Sequence, residues 1–112
     1  MLCEKLGDGF DTVYLCNSGG EANDFAIHMA RLYTKKHTLL SVRNGYHGLV
    51  GSAAATTNMP NWSSNIIRGK SFEKLAWPSK YRGIHQTADA LIKDAEEVIN
   101  SNASKNIAGM IL

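Results

Sequence analysis

The chain has 112 residues, enough for one compact unit at most. Its formal net charge is +2, with Lys/Arg and Asp/Glu scattered rather than blocked, which argues against a nucleic-acid platform and against a polybasic membrane patch. The 44% hydrophobic content is ordinary for a globular protein; no run is long and apolar enough to span a membrane, and Cys3 and Cys16 lack the spacing of a zinc site or a disulfide framework.

Met1 to Asp11 reads as a helix end and a turn. Leu2 and Leu6 stand four apart, and Gly7-Asp8-Gly9 then breaks the pattern. No basic region followed by a hydrophobic core marks a signal peptide, and the cysteine usage suits a reducing compartment. Thr12-Val13-Tyr14-Leu15-Cys16 is β-branched and aromatic without polar alternation. That predicts a strand covered on both faces, as in a parallel α/β sheet.

Asn17-Ser18-Gly19-Gly20-Glu21-Ala22-Asn23 follows. A strand, a polar Gly turn and a helix start make an anion site. The first backbone N–H groups of a helix have no intrahelical partner, and the helix dipole adds partial positive charge. Ser18 adds a hydroxyl donor. The same residues also read as a plain capped turn, with Asn17 or Ser18 as N-cap and Glu21 completing a capping box. The stretch is neither a Walker loop nor a dinucleotide fingerprint.

Glu21 to Lys35 is the clearest helix. Ala22, Phe25, Ala26, Met29, Ala30, Leu32 and Tyr33 fall on one broad apolar face, with its Met and aromatic positions read as core rather than as cofactor contacts and the face as consistent with missing neighbours. Glu21, Asn23, Asp24, His28, Arg31 and Lys35 lie largely opposite, and His28 reads as a solvated histidine. Thr38 to Val42 is a second buried-type strand, ended by Arg43-Asn44-Gly45. Strand, helix and strand make a βαβ unit, hence a right-handed crossover and a parallel sheet. Ligands bind such sheets at the carboxyl ends of the strands, where residues 17–23 and 45–48 both fall.

Gly48 to Thr57 is small and apolar and predicts a short, tightly packed helix. Asn58 to Arg68 reads as a surface loop. Phe72 to Gly83 also reads as irregular, and loop this long in a small domain is often functional. Thr87 to Asn100 is a helix capped by Thr87, with Ala88, Leu91, Ile92, Ala95, Val98 and Ile99 as its apolar face and a Lys93–Glu97 pair. Residues 100–104 form a turn and Ile107 to Leu112 a third apolar strand. Chains rarely stop on a buried strand, so we expect a piece of a longer protein.

Asn17-Ser18-Gly19-Gly20-Glu21-Ala22-Asn23, then a helix, a strand and Tyr46-His47-Gly48, resembles the class III aminotransferases, pyridoxal-phosphate enzymes of fold type I. Residues 29–34, residues 43–48 and Tyr81-Arg82-Gly83 look most like the mitochondrial alanine–glyoxylate aminotransferase group. The resemblance implies an α/β fold, with residues 1–112 as part of a large, cofactor-binding domain whose sheet is mostly parallel with flanking helices. It implies pyridoxal 5'-phosphate as cofactor, with Ser18, Gly19 and Gly20 cradling its phosphate, Tyr46 stacking on its ring and His47 beside it in a structural role. The family usually carries Ser or Thr at the position of Gly20, so one phosphate hydroxyl is missing here.

The resemblance implies no metal, and a mitochondrial enzyme that moves an amino group from an alanine-like donor to glyoxylate or pyruvate. It also implies a homodimer or homo-oligomer, with residues 58–83 near a partner subunit. The family's Schiff-base lysine and pyridine-pairing aspartate fall after the strand that resembles residues 107–112. None of Lys70, Lys74, Lys80, Lys93 and Lys105 has that context, so these residues alone carry no catalytic group and are expected not to transaminate. A phospho-lyase on the same scaffold and a truncated non-catalytic paralogue are the rival readings.

Overall fold

The computed structural model describes residues 2–103 and 106–112. In chain order the elements are α1 (Leu2–Leu6), α2 (Gly19–Thr34), β1 (Thr38–Val42), α3 (Gly51–Thr56), α4 (Pro60–Ser63), β2 (Phe72–Leu75), α5 (Ala88–Val98) and β3 (Ile107–Ile111). A π-helical turn, Ile99–Ala103, extends α5. Met1, Ser104 and Lys105, which the sequence places in the first helix end, the last turn and the loop before the third strand, lie outside the described residues.

β1 is the middle strand of a three-stranded sheet of order β2-β1-β3. Both of its ladders are parallel, with Leu39 opposite Phe72 on one side and Gly109 on the other. A strand between two neighbours, with helices over each face, has no wet side. Thr38, Leu39, Leu40 and Ser41 are accordingly all buried. Leu40 packs with Leu75, Val42 and Ile107 of the sheet and with Ala95, Val98 and Ile99 beneath α5. Side chains alternate across a strand, so Leu39 and Ser41 face the other way, toward α2 and α3.

Several expectations change. Residues 12–16 form no strand. β2 and β3 already occupy both edges of β1, so this segment has no place beside β1 and no ladder partner among the described residues. The segment is mostly exposed, and Tyr14 rests on Phe25 with ring centroids 4.8 Å apart. The parallel sheet itself stands, but not through a pairing of these residues with β1.

The face of α2 that turns inward is the polar one. Ile27 is its buried residue, with Asn23, Asp24, Ala30, Arg31 and Thr34 half-buried, while Phe25, Met29, Leu32 and Tyr33 are exposed. Specific bonds hold the polar side inward. Asp24 Oδ1 accepts from the Ser52 amide at 2.5 Å, and Arg31 Nη1 donates to Ser52 Oγ at 2.8 Å. Arg31 Nε donates to the His37 carbonyl at 3.0 Å, and the guanidinium lies over the Phe72 ring.

Phe72 to Leu75, expected to be irregular, is the edge strand β2. Residues 60–63, expected as loop, make the single turn α4, with Pro60 at its start. The short helix α3, the helix α5 with its Thr87 cap and the third apolar strand β3 form where the sequence places them. No ion pair joins Lys93 to Glu97 among the described residues; the loop before α5 is tied instead through Asp94, which meets His85 at 3.3 Å and the Ala76 amide at 3.4 Å.

Candidate functional site

Ser18 is the N-cap of α2. Its backbone is extended, and its Oγ accepts from the Glu21 amide at 3.2 Å. Glu21 reaches back to the Asn17 amide at 2.8 Å. The capped turn is therefore real, and it leaves the anion-binding groups available. The cap uses a lone pair of Ser18 Oγ and not its hydrogen. The Gly19 and Gly20 amides open the helix and have no intrahelical acceptor. Glu21 is folded back on the cap, with its Oε2 accepting from the Asn17 amide.

The second stretch leaves β1 through the turn at residues 43–45 and runs directly against the first. A Cβ built on Gly48 would stand 2.5 Å from Gly20 Cα, and Gly48 has φ +116°. Only glycine takes that conformation freely, and only glycine permits that approach. Asn23 Nδ2, one turn into α2, donates to the His47 carbonyl at 2.9 Å. Residues 18–20, Asn23 and residues 46–50 thus line one cavity of about 420 Å³. Every site residue expected from the sequence, Ser18, Gly19, Gly20, Tyr46 and His47, lies on it.

The lining contains no carboxylate and no Lys or Arg. An anion there would be met by amides, a hydroxyl and the dipole of a four-turn helix, which is how helix N-termini hold phosphate. Tyr46 is half-exposed, with its ring set edge-on to Trp62 at 5.8 Å between centroids. The residues present therefore fit a phosphorylated, flat aromatic group. A Cβ on Gly20 would sit 3.3 Å from Gly48 Cα and 3.4 Å from Val50 Cγ2, so the glycine in place of the family's Ser or Thr suits the close approach of the two turns.

His47 is buried, and it serves the site through its backbone. Its N–H donates to Thr57 Oγ1 at 3.0 Å and its carbonyl accepts from Asn23. Its Nε2 finds no partner among the described residues. Burial holds the His47 pKa below its ordinary 6.5, because the charged imidazolium loses water and gains no counter-charge. The folded state then favours neutral His47. Its contribution to stability is complete above pH 6.5 and is lost as pH falls below that value toward the depressed folded pKa. The melting temperature is expected to drop on acidification across this range, and His47→Asn is expected to flatten the drop. An unchanged pH slope in His47→Asn would refute the assignment.

Sequence reasoning missed Thr57, Asn58 and Trp62. Asn58 Nδ2 donates to Ser41 Oγ at 2.8 Å and to the Val42 carbonyl at 3.1 Å, and its amide donates to the Gly45 carbonyl at 2.8 Å. It ties the turn after β1 to the strand. Nothing in the local pattern of a polar segment after small residues marked it; these contacts come from residues brought near only by the fold.

Comparison with known proteins identifies the family. The family model for aminotransferase class-III matches residues 1–112. The chain is 34% identical over 111 residues to an alanine–glyoxylate aminotransferase 2 homolog of Arabidopsis thaliana, named as mitochondrial, covering 98% of this chain and 23% of that protein. It is 38% identical over 87 residues to an ethanolamine-phosphate phospho-lyase homolog of Caenorhabditis elegans, covering 72% of this chain and 18% of that protein. Among solved structures, the omega transaminase of Pseudomonas jessenii in complex with PMP superposes with a TM-score of 0.82 at 26% identity, over 97% of this chain and 28% of that one. The chain thus spans about a quarter or less of the curated relatives it matches. Its fold is that of the type I pyridoxal-phosphate transaminases, and with the match running from end to end the chain belongs to the class-III aminotransferase family.

Proposed function

We propose that the chain is part of the large, cofactor-binding domain of a pyridoxal-phosphate transaminase. The whole protein moves an amino group from an alanine-like amino acid to glyoxylate or pyruvate. The observation that carries this reading is the single cavity that joins the open amides of Gly19 and Gly20 to the half-exposed Tyr46 ring. When bound there, pyridoxal phosphate supplies an electron sink for bonds at the substrate Cα. Ser18, Gly19 and Gly20 hold the phosphate, and Tyr46 offers a flat face to the ring. The lysine and aspartate of the chemistry come from elsewhere in the protein, so residues 1–112 alone do not turn over. The relatives' names support a mitochondrial enzyme, and the family pattern supports a homodimer.

The test is the visible absorbance of the full-length protein purified with pyridoxal phosphate. A yellow band bleached by alanine and restored by glyoxylate is the expected result. A protein that stays colourless overturns the reading. Similarity to the phospho-lyase homolog supports a second substrate class; bleaching by ethanolamine phosphate and not by alanine selects it. Tyr46→Ala is expected to weaken cofactor affinity about ten-fold, the scale of one lost aromatic contact of ~1.4 kcal/mol. Tyr46→Phe is expected to keep it. Equal loss in both variants, read by absorbance titration, would remove the ring-stacking role.

A further inference from the structure

Thr57 does not line the cavity, yet it holds the turn that carries Tyr46. Its side chain is fully buried. Its Oγ1 accepts from the His47 amide at 3.0 Å and donates to the Gly48 carbonyl at 2.7 Å. The Ala53 carbonyl is a longer alternative at 3.3 Å, so the single hydroxyl proton goes to Gly48. One hydroxyl thereby closes the stretch on both sides of His47. Thr57 is itself anchored. Its amide reaches the Ala53 and Ala54 carbonyls at the end of α3, and Arg68 donates to its carbonyl.

The opposite side of the same stretch is held by Asn23, and its end by the Gly20 contact. The neighbouring Thr56 is a built-in contrast. It is equally buried, but its hydroxyl bonds within its own helix, to the Ala53 carbonyl at 2.8 Å. Of two adjacent buried threonines, one serves its helix and the other serves the site.

We propose that Thr57 is a positioning residue. Its hydroxyl sets where the Tyr46 ring stands relative to residues 18–20, and so how the aromatic ring of a bound pyridoxal phosphate lies. The inference rests on the cofactor reading above. Thr57→Val removes both bonds and leaves the His47 amide and the Gly48 carbonyl buried without partners, while the cavity lining stays the same.

The test uses the full-length holoprotein. Visible circular dichroism, normalised to bound cofactor, reports how the ring is held; absorbance titration reports affinity. In Thr57→Val the ellipticity per bound cofactor is expected to change, with affinity about ten-fold weaker, the scale of one to two broken buried bonds. Thr57→Ser is expected to restore both, because it keeps the hydroxyl. Thr56→Val is expected to lower the melting temperature and leave the ellipticity unchanged. Wild-type ellipticity in Thr57→Val overturns the proposal, whatever its stability. If Thr57→Val does not fold, Thr57→Ala decides, since it removes the same two bonds: a shifted ellipticity per bound cofactor supports the proposal, and an unshifted signal overturns it. A wild-type protein that never takes up pyridoxal phosphate overturns the cofactor reading and this one with it.

Discussion

Gly48→Ala is expected to cost about 3 kcal/mol or more of stability and to abolish cofactor uptake. Two independent penalties meet there. The φ of +116° is close to glycine-only, and forcing a side chain into such a region costs roughly 1–3 kcal/mol. The added Cβ would also stand 2.5 Å from Gly20 Cα, a clash with backbone that no rotamer relieves; overpacking of this kind costs roughly 1–3 kcal/mol more. Relief requires residues 46–48 to move off α2, which stretches the bond from Asn23 and opens the cavity between cradle and ring. Gly19 is the control for stability, because a Cβ there meets nothing within 4 Å. Thermal unfolding of both variants and absorbance titration of Gly48→Ala read the result. A Gly48→Ala protein as stable as Gly19→Ala would mean that the two turns do not touch in solution.

Leu40→Ala is expected to destabilise by about 2–5 kcal/mol, the range for truncating a buried leucine. Leu40 is 4% exposed at the middle of the central strand, and it meets Leu75 from the edge strand and the underside of α5. The backbone of β1 is bonded on both sides and cannot shift to fill the space. The side chain points away from Ser41 and Asn58, which anchor the turn toward Tyr46. Leu40→Ala is therefore expected to shift the denaturation midpoint and leave the circular dichroism of bound cofactor intact. A spectral change equal to that of Thr57→Val would show that the core and the site are not separable.

The signals that survived from sequence to structure are those set by neighbours along the chain. Ser18 with Glu21, Thr87 before α5 and the aliphatic run of β1 are local, and each formed where the pattern placed it. The signals that failed depend on what lies across space. Residues 12–16 have strand composition, but composition does not say which neighbour is free to pair. β2 was hidden because Glu73 and Lys74 break its apolar pattern, as an edge strand with charged residues tolerates. The apolar stripe of α2 was legible as a stripe; that the polar side turns toward this sheet was not, because Asp24 and Arg31 find fixed partners on α3 and at the entry to β1. At the site, the glycines and Tyr46 were legible in their motifs. Thr57 and Asn58 were not, since their targets are backbone atoms that a motif does not display.

The sheet order has a consequence for the timing of assembly. Both partners of β1 follow it in the chain, and both pairings are parallel. Such pairings close long loops before they gain contacts, so they form late. A ribosome therefore delivers residues 18–20 and α2 early, with their cap already local, while β1 waits first for β2 and then for β3 to emerge. The Tyr46 turn hangs from the end of β1. The two halves of the candidate site are thus ordered in sequence of synthesis, and β1, from which the Tyr46 turn hangs, is not paired on both sides until the last strand of this segment is in place.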